Sequence, residues 1–221
     1  MSGAGGAAET GRSGGTGARG AARPAGAAEF ELKGRLGGEL PGPDALRVAL
    51  EEGGWRRTFR GEMIDRRLDT EAGELEAKDE VVRIRRFRPD EGTERAVLGW
   101  KGPASEAGGF TRREEIETDV ADGEAARALL ARMGLDRVAL ALDRRIEVWE
   151  KDGVTVRIEA YPVMDVLAEI EGEPAEVEAR IEELGLPRDP WKPWPLARFV
   201  ERFEARTGSA ARLAREEAGD G

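Results

Sequence analysis

The chain is 221 residues long, 36% charged and 39% apolar, and its 45 Asp and Glu outweigh 35 Lys and Arg to give a net charge of −10. That length suits one domain with tails, and the acidic balance argues against a nucleic-acid partner, because such binding draws on Lys and Arg neutralising phosphates. There is no Cys and no His. This excludes disulfides, zinc held by thiolate or imidazole, and Cys or His catalysis, and leaves carboxylates, Lys, Arg, hydroxyls and hard cations such as Mg²⁺ or Mn²⁺ to carry any chemistry.

Residues 1–28 are rich in Gly, Ala, Ser, Thr and Arg without hydrophobic periodicity and read as a disordered tail. The start of the chain lacks the apolar core of a signal peptide, and no apolar run is long enough to span a bilayer, so a cytoplasmic protein with no membrane partner is expected. The folded part is expected over 29–206, with a frayed tail over 207–221. Strand patterns occupy 29–36, 55–68, 80–88, 94–100, 110–118, 139–149, 153–161 and 166–171. Turn signals, Pro89-Asp90-Glu91-Gly92 and Lys151-Asp152-Gly153, separate neighbouring pairs.

Four amphipathic helices are interleaved. The first, 43–52, spaces Leu46 and Leu50 on one face and stops at Gly53-Gly54. The second, 123–133, turns Ala126, Leu129, Leu130 and Met133 inward. The third, 174–184, carries Val177, Ile181 and Leu184. The fourth, 196–206, presents Phe199, Val200 and Phe203, with Trp191 and Trp194 anchoring it from a Pro-rich connector. Eight antiparallel strands can close on themselves. The expected class is α+β, a closed eight-stranded antiparallel β-barrel with flanking helices.

Successive side chains of a strand point to opposite faces. Glu29, Glu31 and Lys33 therefore share one face, and Phe30 and Leu32 the other. The same test aligns Arg83 with Arg85, Lys101 with Gly99, Arg113 with Glu115 and Glu117, Asp143 with Arg145 and Glu147, Arg157 with Glu159, and Glu169 with Glu171. A single such face is most simply solvated. Collectively, the apolar sides match the helices, so the charged sides turn toward one another inside the barrel. Acidic rows fall beside basic ones, which is what a metal-bound polyphosphate needs.

These residues also carry a family resemblance. Glu29-Phe30-Glu31-Leu32-Lys33, the Asp69-Thr70 turn, Val82-Arg83-Ile84-Arg85, Trp100-Lys101-Gly102-Pro103, Arg113-Glu114-Glu115-Ile116-Glu117 and Glu169-Ile170-Glu171 resemble, in order, the motifs of the CYTH superfamily, the triphosphate tunnel metalloenzymes. The resemblance covers about residues 28–186. It implies that Glu29, Glu31, Glu115, Glu117, Glu159, Glu169 and Glu171 bind Mg²⁺ or Mn²⁺. It further implies that Lys33, Arg83, Arg85, Lys101, Arg113, Arg145 and Arg157 grip a triphosphate, and that Lys101 and Glu29 are the catalytic candidates.

Three departures stand out. Glu159 takes the place of a common Asp. Asp143 stands where a Lys is expected, so either Arg144 is the inward residue or the basic patch is weaker. Arg67 stands where some triphosphatases carry a Tyr paired with the catalytic Lys. The implied activity is metal-assisted hydrolysis of an inorganic or organic triphosphate, with Lys101 handling protons if neighbouring cations lower its pKa. Alternatives are cyclisation of ATP to cyclic AMP and pyrophosphate, as in class IV adenylate cyclases, and a non-catalytic sensor of polyphosphate or nucleotides. The expected partner is a small triphosphate, in a monomer or homodimer.

Overall fold

The structure is a computed structural model that describes residues 28–215; the rest of the two expected tails lies outside the described residues. In chain order the elements are β1 (Ala28–Arg35), α1 (Pro43–Glu52), β2 (Arg56–Asp69), α2 (Glu74–Ala77), β3 (Val81–Pro89), β4 (Arg95–Lys101), β5 (Ser105–Ala107), β6 (Phe110–Val120), α3 (Gly123–Arg132), β7 (Arg137–Lys151), β8 (Val154–Ala160), β9 (Leu167–Glu171), α4 (Pro174–Glu183) and α5 (Leu196–Thr207). All pairings between these strands are antiparallel, in the order β1-β9-β8-β7-β2-β3-β4-β6. The pairing of β6 back onto β1, from Ala28 opposite Glu114 to Glu31 opposite Thr111, closes the ring. β5 pairs with the first residues of β6, from Ser105 opposite Arg112 to Ala107 opposite Phe110. It and α2 are short, three and four residues, too brief to leave a periodic signal in the sequence.

The principal apolar cluster lies outside the ring. Leu32 of β1, Val156 and Ile158 of β8 and Ile170 of β9 meet Leu46 and Leu50 of α1 and Val177 and Ile181 of α4. Pro43 starts α1 at a position where the missing N–H costs nothing, and the Leu pair four residues apart forms its inward stripe. The connector after α4 completes this wall. Trp191 is buried in the cluster, and Lys192 exchanges backbone hydrogen bonds with Lys33 where β6 has left the edge of β1.

Two further clusters bound the lumen. Met63, Phe87, Val97 and Ile146 form an apolar floor on the β2, β3, β4 and β7 side. Leu142, Tyr161 and Leu167 meet Phe199 of α5 toward the other end. Among the described residues, no helix is long and apolar enough to cross a membrane.

Two expectations are corrected. On α3, Leu129 and Met133 are 64% and 71% exposed rather than inward. The helix meets the barrel through its first turn, where Gly123 sits against Ala96 of β4 and Ile84 of β3, and its later turns project past the sheet. The expected frayed tail is packed chain as far as Arg215. Arg212 pairs with Val163, the Asp143 N–H donates to the Leu213 carbonyl, and Leu213 joins the α5 cluster. The reason lies in β7, whose pairing with β8 begins only at Arg145 opposite Ala160. The returning tail occupies the gap this leaves.

Candidate active site

Alternation along each strand decides what enters the lumen. β1 contributes Glu29, Glu31 and Lys33, and β2 contributes Asp65 and Arg67. β3 contributes Arg83 and Arg85, β4 Lys101, and β6 Arg113, Glu115 and Glu117. Arg144 comes from β7, Arg157 and Glu159 from β8, and Glu169 and Glu171 from β9. Eight of these are buried: Glu29, Lys33, Asp65, Arg83, Arg85, Arg144, Glu159 and Glu169. Gly99 faces inward between Arg83 and Glu117, and a Cβ there would lie 3.1 Å from Glu117 Oε1 and 3.5 Å from Arg83 Nε. Its missing side chain leaves room for that pair.

Cations and carboxylates are interlaced across the ring. Lys33 Nζ donates to Glu31 at 2.8 Å and lies 2.5 Å from Glu169. Arg83 Nη2 reaches Glu115 at 2.6 Å and Glu117 at 3.0 Å, and Arg85 also holds Glu117. Lys101 bridges Glu29 and Glu115. Arg144 spans Asp65 at 3.1 Å and Glu159 at 2.9 Å, while the Tyr161 hydroxyl donates to the other Glu159 oxygen at 2.8 Å. Arg157 binds Glu169 at 2.5 Å and Glu171 at 3.0 Å. Buried ion pairs of this kind contribute little net stability, because desolvation offsets their attraction. The retention of so many in one interior therefore points to a ligand.

Three carboxylates do more than pair. One oxygen each from Glu29, Glu31 and Glu171 lies within 4.8 Å of the others. Three hard oxygen donors at that spacing suit a divalent cation such as Mg²⁺ or Mn²⁺. Burial and the neighbouring Glu29 and Glu169 carboxylates push the Glu171 carboxyl well above its usual range, against the pull of Arg157. Counted with Glu169, four carboxylates share this corner with three cations, Lys33, Lys101 and Arg157. Across the ring, the Nε atoms of Arg67, Arg83, Arg85 and Arg144 are buried without an acceptor, so donors there exceed the acceptors the protein supplies.

The proton states follow from the same neighbours. For Lys101, burial opposes the charge, but Glu29 and Glu115 outweigh burial and nearby Arg83 and raise its pKa above the usual lysine value. The condition for Lys101 as a base, a pKa lowered by crowding cations, is thus not met: it is a cation. Burial would raise the Glu117 carboxyl, yet Arg85 and Arg83 hold it down at about 2. For Tyr161, burial and the Glu159 carboxylate push the phenol upward, so it keeps its proton and acts as a donor.

The expected residues divide. Glu29, Glu31 and Glu171 converge, whereas Glu115 and Glu117 lie with Arg83, Arg85 and Lys101. Glu159 is taken up by Arg144 and Tyr161, and Glu169 by Lys33 and Arg157. Arg113 reaches Asp79 at 2.5 Å on the rim of the cavity. Arg145 is misplaced: it points outward, half exposed, and pairs with Asp90, while Arg144 enters the lumen. Asp69 is structural. Its buried carboxylate accepts from the backbone N–H groups of Thr70, Leu75 and Glu76 and pairs with Arg137.

Asp65 and Tyr161 were not legible as site residues; Arg144 was one of the two readings of β7, and Arg67 was noted only as a departure from the resemblance. The Met63-Asp65-Arg67 row was available as a signal, but Arg66 between the last two hides it. The lumen opens into a cavity of about 920 Å³ that reaches from Glu31 and Lys33 past Arg67 to Leu196 and Val200 of α5.

No family model matches the sequence, and no relative is found among curated proteins. Solved structures share the architecture. The PH1819 protein of Pyrococcus horikoshii is 22% identical, with a TM-score of 0.61 over 79% of this chain and 98% of its own. A candidate adenylate cyclase of Vibrio parahaemolyticus is 17% identical, with a TM-score of 0.65 over 80% of this chain and 99% of its own. The candidate adenylyl cyclase HpAC1 of Hippeastrum, which has a dominant triphosphatase activity, is 18% identical, with a TM-score of 0.54 over 85% of this chain and 99% of its own. At these identities the likeness is one of fold. The chain shares with them the closed eight-stranded antiparallel ring.

Proposed function

We propose that the protein is a divalent-metal-dependent triphosphate hydrolase acting inside the barrel. The observation that carries this reading is one lumen with a convergent carboxylate trio on β1 and β9 and guanidinium and ammonium groups around the rest of the ring. A polyphosphate with bound metal needs both. The dominant triphosphatase activity of HpAC1 supports the same chemistry.

Glu29, Glu31 and Glu171 would hold Mg²⁺ or Mn²⁺. Bound there, the ion supplies Lewis-acid neutralisation of phosphoryl charge. The chain's own residues do the rest. Arg83, Arg85, Arg144 and Arg157 present planar forks that match phosphoryl oxygens, and Lys33, Lys101 and Arg113 add positive charge. Their present carboxylate partners keep them fixed in the lumen, so little reorganisation accompanies substrate entry. Water attacks the terminal phosphorus, the bridging P–O bond breaks, and diphosphate leaves. A wall carboxylate, Glu29 in this reading, accepts the water proton, while its partner Lys101 stays charged beside the leaving oxygen. The apolar floor under Arg85 and Arg144 excludes bulk water from that side.

Cyclisation of ATP is the second reading, supported by the Vibrio parahaemolyticus neighbour's description as a candidate adenylate cyclase. The same lumen would serve, with the ribose 3′-hydroxyl in place of water. Incubation with inorganic triphosphate, ATP and thiamine triphosphate separately, with Mg²⁺ or Mn²⁺, distinguishes the two. Hydrolysis yields orthophosphate; cyclic AMP with pyrophosphate from ATP would overturn the hydrolase reading.

A further inference from the structure

Arg67 is the odd cation of the lumen. Each of the other seven inward-facing cations has a carboxylate partner. Among the described residues, Arg67 has no carboxylate within 4.0 Å, and its Nε is buried without an acceptor. Its neighbours in register are Arg83 on β3 and Leu140 on β7. One is a like charge directly opposite, which destabilises a sheet; the other is apolar. Burial and the Arg83 and Arg144 guanidiniums work against its charge, with Asp65 in its favour. The backbone beside it is also irregular. The register of β2 against β7 shifts between Arg67 and Leu68, leaving Ala139 as the extra residue of a bulge, a device that re-aims side chains. Among the described residues, no side-chain acceptor repays the burial of this Nε.

Its location says what would. In the ring order, β2 lies four strands from β1 in either direction, so Arg67 stands on the wall across from Glu29 and Glu31. It lines the same cavity as Glu31, Lys33, Arg83 and Leu196. We propose that Arg67 is a phosphate-binding residue, contacting together with Arg83 the substrate phosphoryl group that lies away from the carboxylate trio. This rests on the triphosphate reading of the lumen. A doubly charged phosphoryl group placed between two guanidiniums converts their repulsion into two charge-assisted contacts. Arg67 is thereby a specificity residue for the anionic chain and takes no part in proton transfer.

The test is titration calorimetry of a non-hydrolysable methylene-bridged triphosphate with Mg²⁺, using the wild type, Arg67→Met and Arg67→Lys, beside thermal melts of each protein alone. The wild type is expected to bind, Arg67→Met to bind about 10- to 100-fold more weakly, and Arg67→Lys to fall between. The melting temperature of unliganded Arg67→Met is expected to equal or exceed that of the wild type, since a like-charge pair is removed. A structural arginine would instead lower it. If the wild type binds and Arg67→Met binds within twofold of it, the role of Arg67 is overturned while the triphosphate reading stands. If the wild type itself does not bind, the triphosphate reading fails and Arg67's role goes with it.

Discussion

On β1, Glu29, Glu31 and Lys33 face the lumen, and Leu32 packs outward beneath α1 and α4. On β7 the arrangement inverts. Asp143, Arg145 and Glu147 face outward, and Leu142 and Ile146 face inward with Arg144 between them. Both strands alternate with the same period of two. What differs is what each face meets. Outside β1 lies the apolar wall of Leu46, Leu50, Val177 and Ile181, so apolar side chains turn outward. Inside β7 lie the apolar floor and Phe199 of α5. Outside it, Arg47 holds Glu147 at 3.0 Å, Arg66 holds Asp143 at 2.7 Å, and the Arg215 N–H donates to Asp143 at 2.8 Å. A strand's sequence carries its period; the packing partners choose which row is inside.

The first way to break this comparison is at the basic arc, where the largest effect is expected. Replacing Arg83 by Leu removes the fork that faces Glu115 and Glu117. Turnover of triphosphate is expected to fall by about 100- to 1,000-fold, as for loss of an oriented charge-stabilising donor, read by orthophosphate release. An unchanged rate would remove Arg83 from the site.

The sharpest contrast is the neighbouring pair on β7. Arg144→Met is expected to reduce turnover by about 10- to 100-fold. Arg145→Met is expected to change it by less than about twofold, because its partner Asp90 lies on the exposed outer surface. Equal losses in the two variants would mean that the facing of β7 is not what separates them.

A buried carboxylate at the end of β2, committed to backbone N–H groups, tests the opposite case, stability rather than phosphate contact. Asp69→Ala leaves three backbone N–H groups and Arg137 without their acceptor. Urea unfolding at neutral pH is expected to show a loss of about 2–4 kcal/mol. For this carboxyl, burial opposes charge, but the N–H groups of Leu75, Glu76 and Thr70 and then Arg137 outweigh it and hold its pKa below the usual range. A depressed folded pKa means the stabilisation is full above the unfolded value, about 4, and is lost as pH falls through the folded value. The difference between wild type and variant should therefore shrink below about pH 4. A gap that widened on acidification would contradict the assignment.

At the small end, Met133→Lys on the projecting turn of α3 is expected to change stability by less than about 0.5 kcal/mol, since that side chain is 71% exposed.

The same contrast explains what was legible in the sequence. The rows on β1, β3 and β9 were readable because single charges alternate with apolar residues: Phe30 and Leu32 on β1, Val82 and Ile84 on β3, Ile170 on β9; on β6, where charges run consecutively over 112–115, Ile116 and the family resemblance supplied the row. The rows on β2 and β7 were hidden where charges run consecutively, Asp65-Arg66-Arg67 and Asp143-Arg144-Arg145, because both faces are then polar. That places Arg145 in the site by one residue's error and leaves Asp65 and Arg67 out. The ring itself was legible from strand count and turn chemistry. The docking of the tail on β7 was not, because it depends on a gap in pairing at Asp143 that only the assembled sheet creates. The outward turn of Leu129 and Met133 on α3 was equally hidden, since helical spacing marks an apolar stripe without saying whether the sheet is wide enough to cover it.

The central claim is that the carboxylate trio and the facing cations form one hydrolytic site. It is tested most directly by measuring orthophosphate release from inorganic triphosphate with and without Mg²⁺ or Mn²⁺, for the wild type and for Glu31→Gln, with circular dichroism to confirm folding. The predicted result is release by the wild type only when the metal is present, and a loss of at least about 100-fold in the folded variant. Absence of release from the wild type with either metal, or an equal rate in Glu31→Gln, would contradict it.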